Sequence, residues 1–188
     1  MRRILVVACI ASCSKGSDGK DSHGSSAPAA TTSSAAGGDC TKSVKLCTEI
    51  DMAHVDAVCG TKSVKVVPDT VSAGDVAADG CSYKAANNAS NVTLSRSCFG
   101  GAHGAEMTAL AMKDPREKPR NEATLKDVPG LGDEAFITSA PYGLRQLFVR
   151  SGTTMITVER PGKLSADAED AMQKNCLIAL SREIAAKY

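Results

Sequence analysis

The side chains of this 188-residue chain that could carry chemistry are eight cysteines, three histidines and a few closely spaced acids. Cys98 ahead of His103 offers a thiol and an imidazole, the pairing of nucleophile and base. His103 and Glu106, three apart on a helix, would put two metal ligands on one turn. Asp133 and Glu134 form an adjacent acid pair. Gly60-Thr61-Lys62-Ser63 has the residue types that end a phosphate-binding loop, but that loop needs Gly directly before Lys and a second Gly where this chain has Val55. Each of the others also has a plainer reading. A cysteine in an exported chain with an even count is more often oxidised, and a lone histidine on an apolar helix face is more often packed in a core. Asp133-Glu134 after Gly-Leu-Gly suits a turn that opens a strand. No Gly-x-Ser-x-Gly, His-Glu-x-x-His or calcium loop occurs, so catalysis, metal and cofactor are not expected; an envelope hydrolase or metal-dependent enzyme using the His103 region is the alternative.

Composition removes whole classes of partner. With 22 basic against 21 acidic residues, three Phe, three Tyr and no Trp, the chain has neither the cationic field nor the stacking surface of a nucleic-acid binder. The apolar stretch from Ile4 to Ala11 is far shorter than the roughly 20 residues that a spanning helix needs.

That stretch reads as an address. Met1-Arg2-Arg3 and the apolar run behind it have the form of a secretory signal. Ile10-Ala11-Ser12-Cys13 resembles the bacterial lipobox, which predicts a signal peptide over 1–12 and Cys13 as an acylated new N-terminus. Residues 13–39 then read as a lipidated Ser/Gly/Ala tether, His23 included. Its root-mean-square reach is roughly 28 Å for a flexible chain of that length. The expected location is the extracytoplasmic side of a membrane, held by the lipid anchor. Loss of Arg2 and Arg3 leaves 20 basic side chains (22 less 2) against 21 acidic ones, a nearly neutral mature surface.

Six cysteines remain in the folded part, residues 40–188: Cys40, Cys47, Cys59, Cys81, Cys98 and Cys176. Outside a reducing compartment an even number predicts disulfides, and the absence of Cys-x-x-Cys or paired His spacing argues against zinc. Six allow 15 pairings.

The elements that must position these residues follow from periodicity. A helix is predicted over Thr48–Cys59, opened by the capping box Thr48-Glu49-Ile50-Asp51 and closed by Gly60, with His54 away from its apolar face. Strands are predicted at Val64–Val67, Cys81–Ala85 and Val92–Cys98, the first followed by a Pro/Gly/Asp-rich turn region. A helix over Ala102–Lys113 puts His103, Met107 and Leu110 on one face, toward the core. Asp114–Gly132 reads as an exposed connection with a short extended piece near Thr124–Val128. Strands at Glu134–Ser139, Leu144–Arg150 and Thr153–Arg160 precede a helix over Ser165–Lys187, with Ala168, Met172, Cys176, Leu180 and Ile184 at fourfold spacing. The sum is an α+β fold: an antiparallel sheet with helices packed on one side, two βββα rounds that read as a pseudo-repeat, and disulfide staples compensating for an aromatic-poor core.

A family resemblance rests on Asp39-Cys40, Leu46-Cys47 before a short helix ending at Gly60, Cys81-Ser82-Tyr83, Gly130-Leu131-Gly132-Asp133-Glu134-Ala135, and Leu147 to Gly152. These are similar to the small uncharacterised envelope lipoproteins common in actinobacteria. The resemblance implies an envelope domain without established catalysis, and a Cys47–Cys81 bridge. The expected function is therefore a binding or scaffolding module for an envelope protein, glycan or lipid. Its contacts are expected on the Asp114–Gly132 connection and the neighbouring hairpin, with Arg145 and Arg150 as polar candidates.

Overall fold

A computed structural model of the chain describes residue 40 and residues 45–73, 76–119 and 123–187. Residues 1–39, where the signal peptide and tether are expected, with Cys13 and His23 among them, lie outside the described residues. The described elements are α1 (Leu46–Glu49), α2 (Met52–Cys59), β1 (Lys65–Ala73), β2 (Val76–Lys84), β3 (Ser90–Phe99), α3 (Gly104–Glu117), β4 (Thr124–Asp127), β5 (Glu134–Ser139), β6 (Arg145–Ser151), β7 (Thr154–Arg160), α4 (Ala166–Met172), a π-helical stretch Gln173–Ile178, and α5 (Ala179–Lys187). All seven strands form one antiparallel sheet in the order β1-β2-β3-β7-β6-β5-β4. The fold is α+β, as the periodicity predicts. Two meanders meet where β3 pairs with β7.

Alternation along each strand sorts side chains onto two faces. On the front, Tyr83, Leu94, Ile137, Leu147 and Val158 join residues of α1, α2, the π stretch and α5 in one buried core. On the back, Phe136, Phe148 and Met155 pack against Met112 of α3. So α3 covers part of the face opposite the other helices, a departure from an arrangement with all helices on one side. The strand-then-helix rhythm occurs twice, but the second round has four strands and its helix lies on the other face. β4, the short extended piece, is the added strand.

Other boundaries shift for identifiable reasons. The single helix expected over Thr48–Cys59 is two. Ile50 adopts an extended conformation, is fully buried, and gives its carbonyl to the Tyr83 hydroxyl at 2.7 Å. Asp51, not Thr48, then caps α2 by accepting the Ala53 N–H. Asp79 of β2 accepts the Leu46 N–H at 2.7 Å. A strand side chain thus satisfies the start of α1. Strand β1 runs through Pro68 rather than turning there, which an edge strand tolerates because the missing N–H need not join a ladder on both sides. The helix of α3 continues past Asp114 through Pro115 to Glu117.

At the C-terminus, fourfold spacing advances about 40° too far at each step of an ideal α-helix. The wider π stretch absorbs this drift, keeping Met172, Cys176, Leu180 and Ile184 buried, while Ala168 at the far end is exposed.

Three disulfides join Cys40–Cys98, Cys47–Cys81 and Cys59–Cys176, with Cα–Cα distances of 5.5, 5.2 and 4.5 Å. The Cys47–Cys81 bridge is the one the family resemblance implies. Alkylation of the protein without reductant is expected to leave all six of these cysteines unmodified, and two or more labelled thiols would contradict the pairing. A Cys59→Ser/Cys176→Ser double variant opens the bridge spanning 117 residues. It should lose roughly 2–5 kcal/mol of unfolding free energy in urea titration.

Candidate functional site

The sequence candidates scatter when placed in the fold. His54, exposed on α2, has Nε2 2.9 Å from Glu183 Oε2 of α5, in the front layer. His103 sits at the N-cap of α3 on the back, its side chain 82% exposed and its Nδ1 3.4 Å from Glu106. This corrects the expectation that His103, Met107 and Leu110 face the core: Met107 and Leu110 are 47% and 59% exposed. The buried stripe is Gly104, Thr108 and Met112 instead. A Cβ on Gly104 would stand 2.0 Å from the Phe99 carbonyl oxygen. So α3 approaches the sheet through its smallest residue and turns the more apolar stripe outward. Cys98 is bonded to Cys40, which removes a Cys98 thiol as partner for His103. Among the described residues no cluster of three or more His, Cys, Asp or Glu could hold a metal ion.

Asp133 and Glu134 belong to a turn and its ion pairs. Gly132 has φ 64°, and a Cβ there would meet the Arg150 carbonyl oxygen at 2.2 Å. Both facts explain a glycine just before the acids. The Asp133 carboxylate accepts the Gly152 N–H at 2.7 Å and lies 3.4 Å from Arg150 Nη1. Glu134 faces Arg150 at 3.7 Å and Arg116 at 3.5 Å. Arg116 also lies over the Phe136 ring, 5.2 Å from its centroid. Arg150 is thus committed to holding the β6–β7 hairpin against the start of β5.

Arg145, the other polar candidate of the sequence, is likewise held in an ion pair. It is 7% exposed and grips Glu169 of α4 through Nε at 3.0 Å and Nη2 at 2.7 Å. Its Nη1 donates to the Gly162 carbonyl at 3.2 Å. This two-pronged grip is the strong, directional form of an arginine–carboxylate pair. The hydrogen bond from Arg145 holds the Glu169 carboxyl below its ordinary value of 4.5, with burial opposing and the Arg145 charge and the Ser139 and Gln173 side chains assisting.

The neighbour of Arg145, on the opposite face, leads to a cleft that draws on the Asp114–Gly132 segment and the hairpin strand β6, where contacts are expected, through side chains that sequence reading did not single out. A cavity of about 220 Å³ lies between the C-terminal half of α3 and the back of the sheet. Its floor is Thr138, Gln146 and Phe148; its wall is Ala111, Asp114, Pro115 and Lys118. Thr138, Gln146 and Glu159 lie in one row across β5, β6 and β7. Gln146 Nε2 donates to Glu159 Oε2 at 2.8 Å. A carboxylate can only accept, so the amide nitrogen faces Glu159 and the amide oxygen is left as an acceptor.

The wall adds further polar groups. Pro115 has no N–H, so the Ala111 carbonyl lacks its normal helical donor. Asp114 and Lys118 have helical i,i+4 spacing, yet they form no ion pair, whereas Lys113–Glu117 on the same helix closes to 3.7 Å. Lys118 has already left helical geometry, at φ -127° and ψ 65°. That takes its side chain off the row it would share with Asp114. Neither side chain has a partner among the described residues. The cleft therefore combines a carboxylate and an ammonium that are not paired with each other, a carbonyl without its helical donor, an amide, a hydroxyl and an aromatic ring. Asp-Pro at 114–115 is the one local signal for it in the sequence, and the same dipeptide reads equally well as the start of a loop.

The Arg145–Glu169 pair generates a stability prediction. Glu169→Ala leaves the buried guanidinium uncompensated and should cost about 3 kcal/mol, whereas Arg145→Met/Glu169→Leu should recover most of it, measured by urea unfolding. Because the folded-state pKa of Glu169 is depressed, the unfolded chain binds more protons in acid. Its contribution is complete above about 4.5 and is lost as pH falls through the folded-state value. Glu169→Gln should flatten that part of the acid stability profile. No family model, curated protein or solved structure matches this chain.

Proposed function

We propose that the chain is a bacterial envelope lipoprotein, anchored through Cys13, whose domain binds a small ligand in the cleft under α3 without transforming it. The observation that carries the reading is the cleft itself, where a sheet row fixed by Gln146–Glu159 meets a helix wall bearing Asp114 and Lys118. The order Arg2-Arg3, apolar run, Ile10-Ala11-Ser12-Cys13 supports the anchor, and six oxidised domain cysteines suit an extracytoplasmic compartment. Similarity to small actinobacterial envelope lipoproteins points the same way. Binding rather than catalysis is favoured because His54 and His103 stand on opposite sides of the sheet. Catalytic groups must converge within ~3 Å of the reacting atoms.

Two experiments test this reading. Cys13→Ala should shift the protein from the membrane to the soluble fraction in a bacterial host and abolish incorporation of labelled fatty acid; membrane retention with label overturns the anchor. A panel of amino acids, dipeptides and N-acetylated monosaccharides at millimolar concentration should give amide chemical-shift changes centred on residues 111–118 and 138–148 for at least one compound. Shifts centred elsewhere, or none, overturn the cleft as the binding site. Conversion of any compound to product, lost in His54→Gln or His103→Gln at normal abundance, would overturn the non-catalytic reading.

A further inference from the structure

Resting on the reading of this cleft as a binding site, we infer that its ligand is a zwitterion of the size of an amino acid or dipeptide, whose ammonium is held at Asp114 and carboxylate at Lys118. Two features select the ammonium end. Asp114 lines the cavity, and its side chain has no partner among the described residues. Pro115 deprives the Ala111 carbonyl of its helical donor one turn away. The Gln146 oxygen adds another acceptor from the floor.

The carboxylate end is selected by Lys118. Lys118 is the residue after the last turn, its backbone is no longer helical, and it makes no ion pair with Asp114. A ligand carrying both charges compensates the two side chains at once, and a ligand carrying one leaves the other unmatched. The same cavity is lined by Phe148 and Pro115, which give apolar surface, and by Thr138, which gives a hydroxyl. The volume is about 220 Å³. That is below the roughly 300–1,000 Å³ typical of clefts that take drug-sized ligands, which limits the occupant to a small molecule or a peptide end.

The test titrates the full protein with L-alanyl-L-alanine, its N-acetyl derivative, its C-terminal amide and N-acetylglucosamine, each read by calorimetry and by amide shifts. The free dipeptide should bind at residues 111–118 and 138–148. N-acetylation and amidation should each weaken binding at least ~10-fold, as should Asp114→Asn and Lys118→Gln, both at exposed positions where the fold tolerates the change. Asp114→Asn should lose discrimination against the N-acetyl compound, and Lys118→Gln discrimination against the amide, a pairing that a general loss of structure would not produce. Equal binding of the free and blocked dipeptides, or no binding of the free one up to ~10 mM, overturns the inference. If N-acetylglucosamine produces the cleft shifts and the dipeptide does not, the zwitterion is wrong while the cleft remains a binding site. If no compound does, the zwitterion is overturned together with this panel's support for the cleft.

Discussion

Cys40 and residues 45–59 are pinned at three points, and the front layer depends on that constraint. Cys40 is fixed to β3, Cys47 to β2, and Cys59 to the π stretch of the C-terminal helix. With three Phe, three Tyr and no Trp, the chain has few side chains that bury a large area singly. One of them, Tyr83, is fully buried and donates its hydroxyl to the Ile50 carbonyl, at the point where α1 gives way to α2. The bridges restrict the unfolded chain, and the tyrosine sets the helix break in the folded one. A short segment with little helix-forming length of its own thereby becomes one wall of the core.

The two faces of the sheet are held by different physics. The front is a continuous apolar core under α1, α2 and the C-terminal helix. The back has a small cluster, with Phe136 and Phe148 stacked at 5.2 Å between centroids and Met112 against them. Around that cluster lie charges and amides: Arg116 with Asp127 and Glu134, and Gln146 with Glu159. Gly104 lets α3 approach closely at its N-terminal end, and the cavity lies along its C-terminal half. Helix, sheet and ion pairs thus hold the walls of the cleft, while the charges of Asp114 and Lys118 line it without pairing to each other.

Adjacent positions on β6 show how function and stability divide. Arg145 points to the front and is consumed by Glu169; Gln146 points to the back and lines the cavity. Arg150 faces the same side as Gln146, yet its partners are Asp133 and Glu134, so it fastens the hairpin. Charge alone is therefore a poor guide to availability. What decides it is the side of the strand on which the residue falls and whether a neighbouring element brings a counter-charge there.

Alternation at β3 and short apolar runs bounded by turn residues at β5, β6 and β7 were enough to determine those strands and the antiparallel α+β class, and an even cysteine count was enough for disulfide stapling. Those signals are local or compositional. The break at Ile50 was not legible, because it requires a tyrosine hydroxyl that lies 33 residues away in sequence. The rotation of α3 was not legible either: a rule that puts the more apolar stripe inward favours Met107 and Leu110, whereas contact with the Phe99 carbonyl admits only a glycine at 104. The π stretch answers to the position of Cys59, supplied by a distant helix. The cleft combines a helix end near 115 with strand residues near 138 and 146, and neither segment has a distinctive motif by itself. Its chemistry arises only when tertiary packing sets Asp114 and Lys118 over a sheet row already ordered by hydrogen bonding.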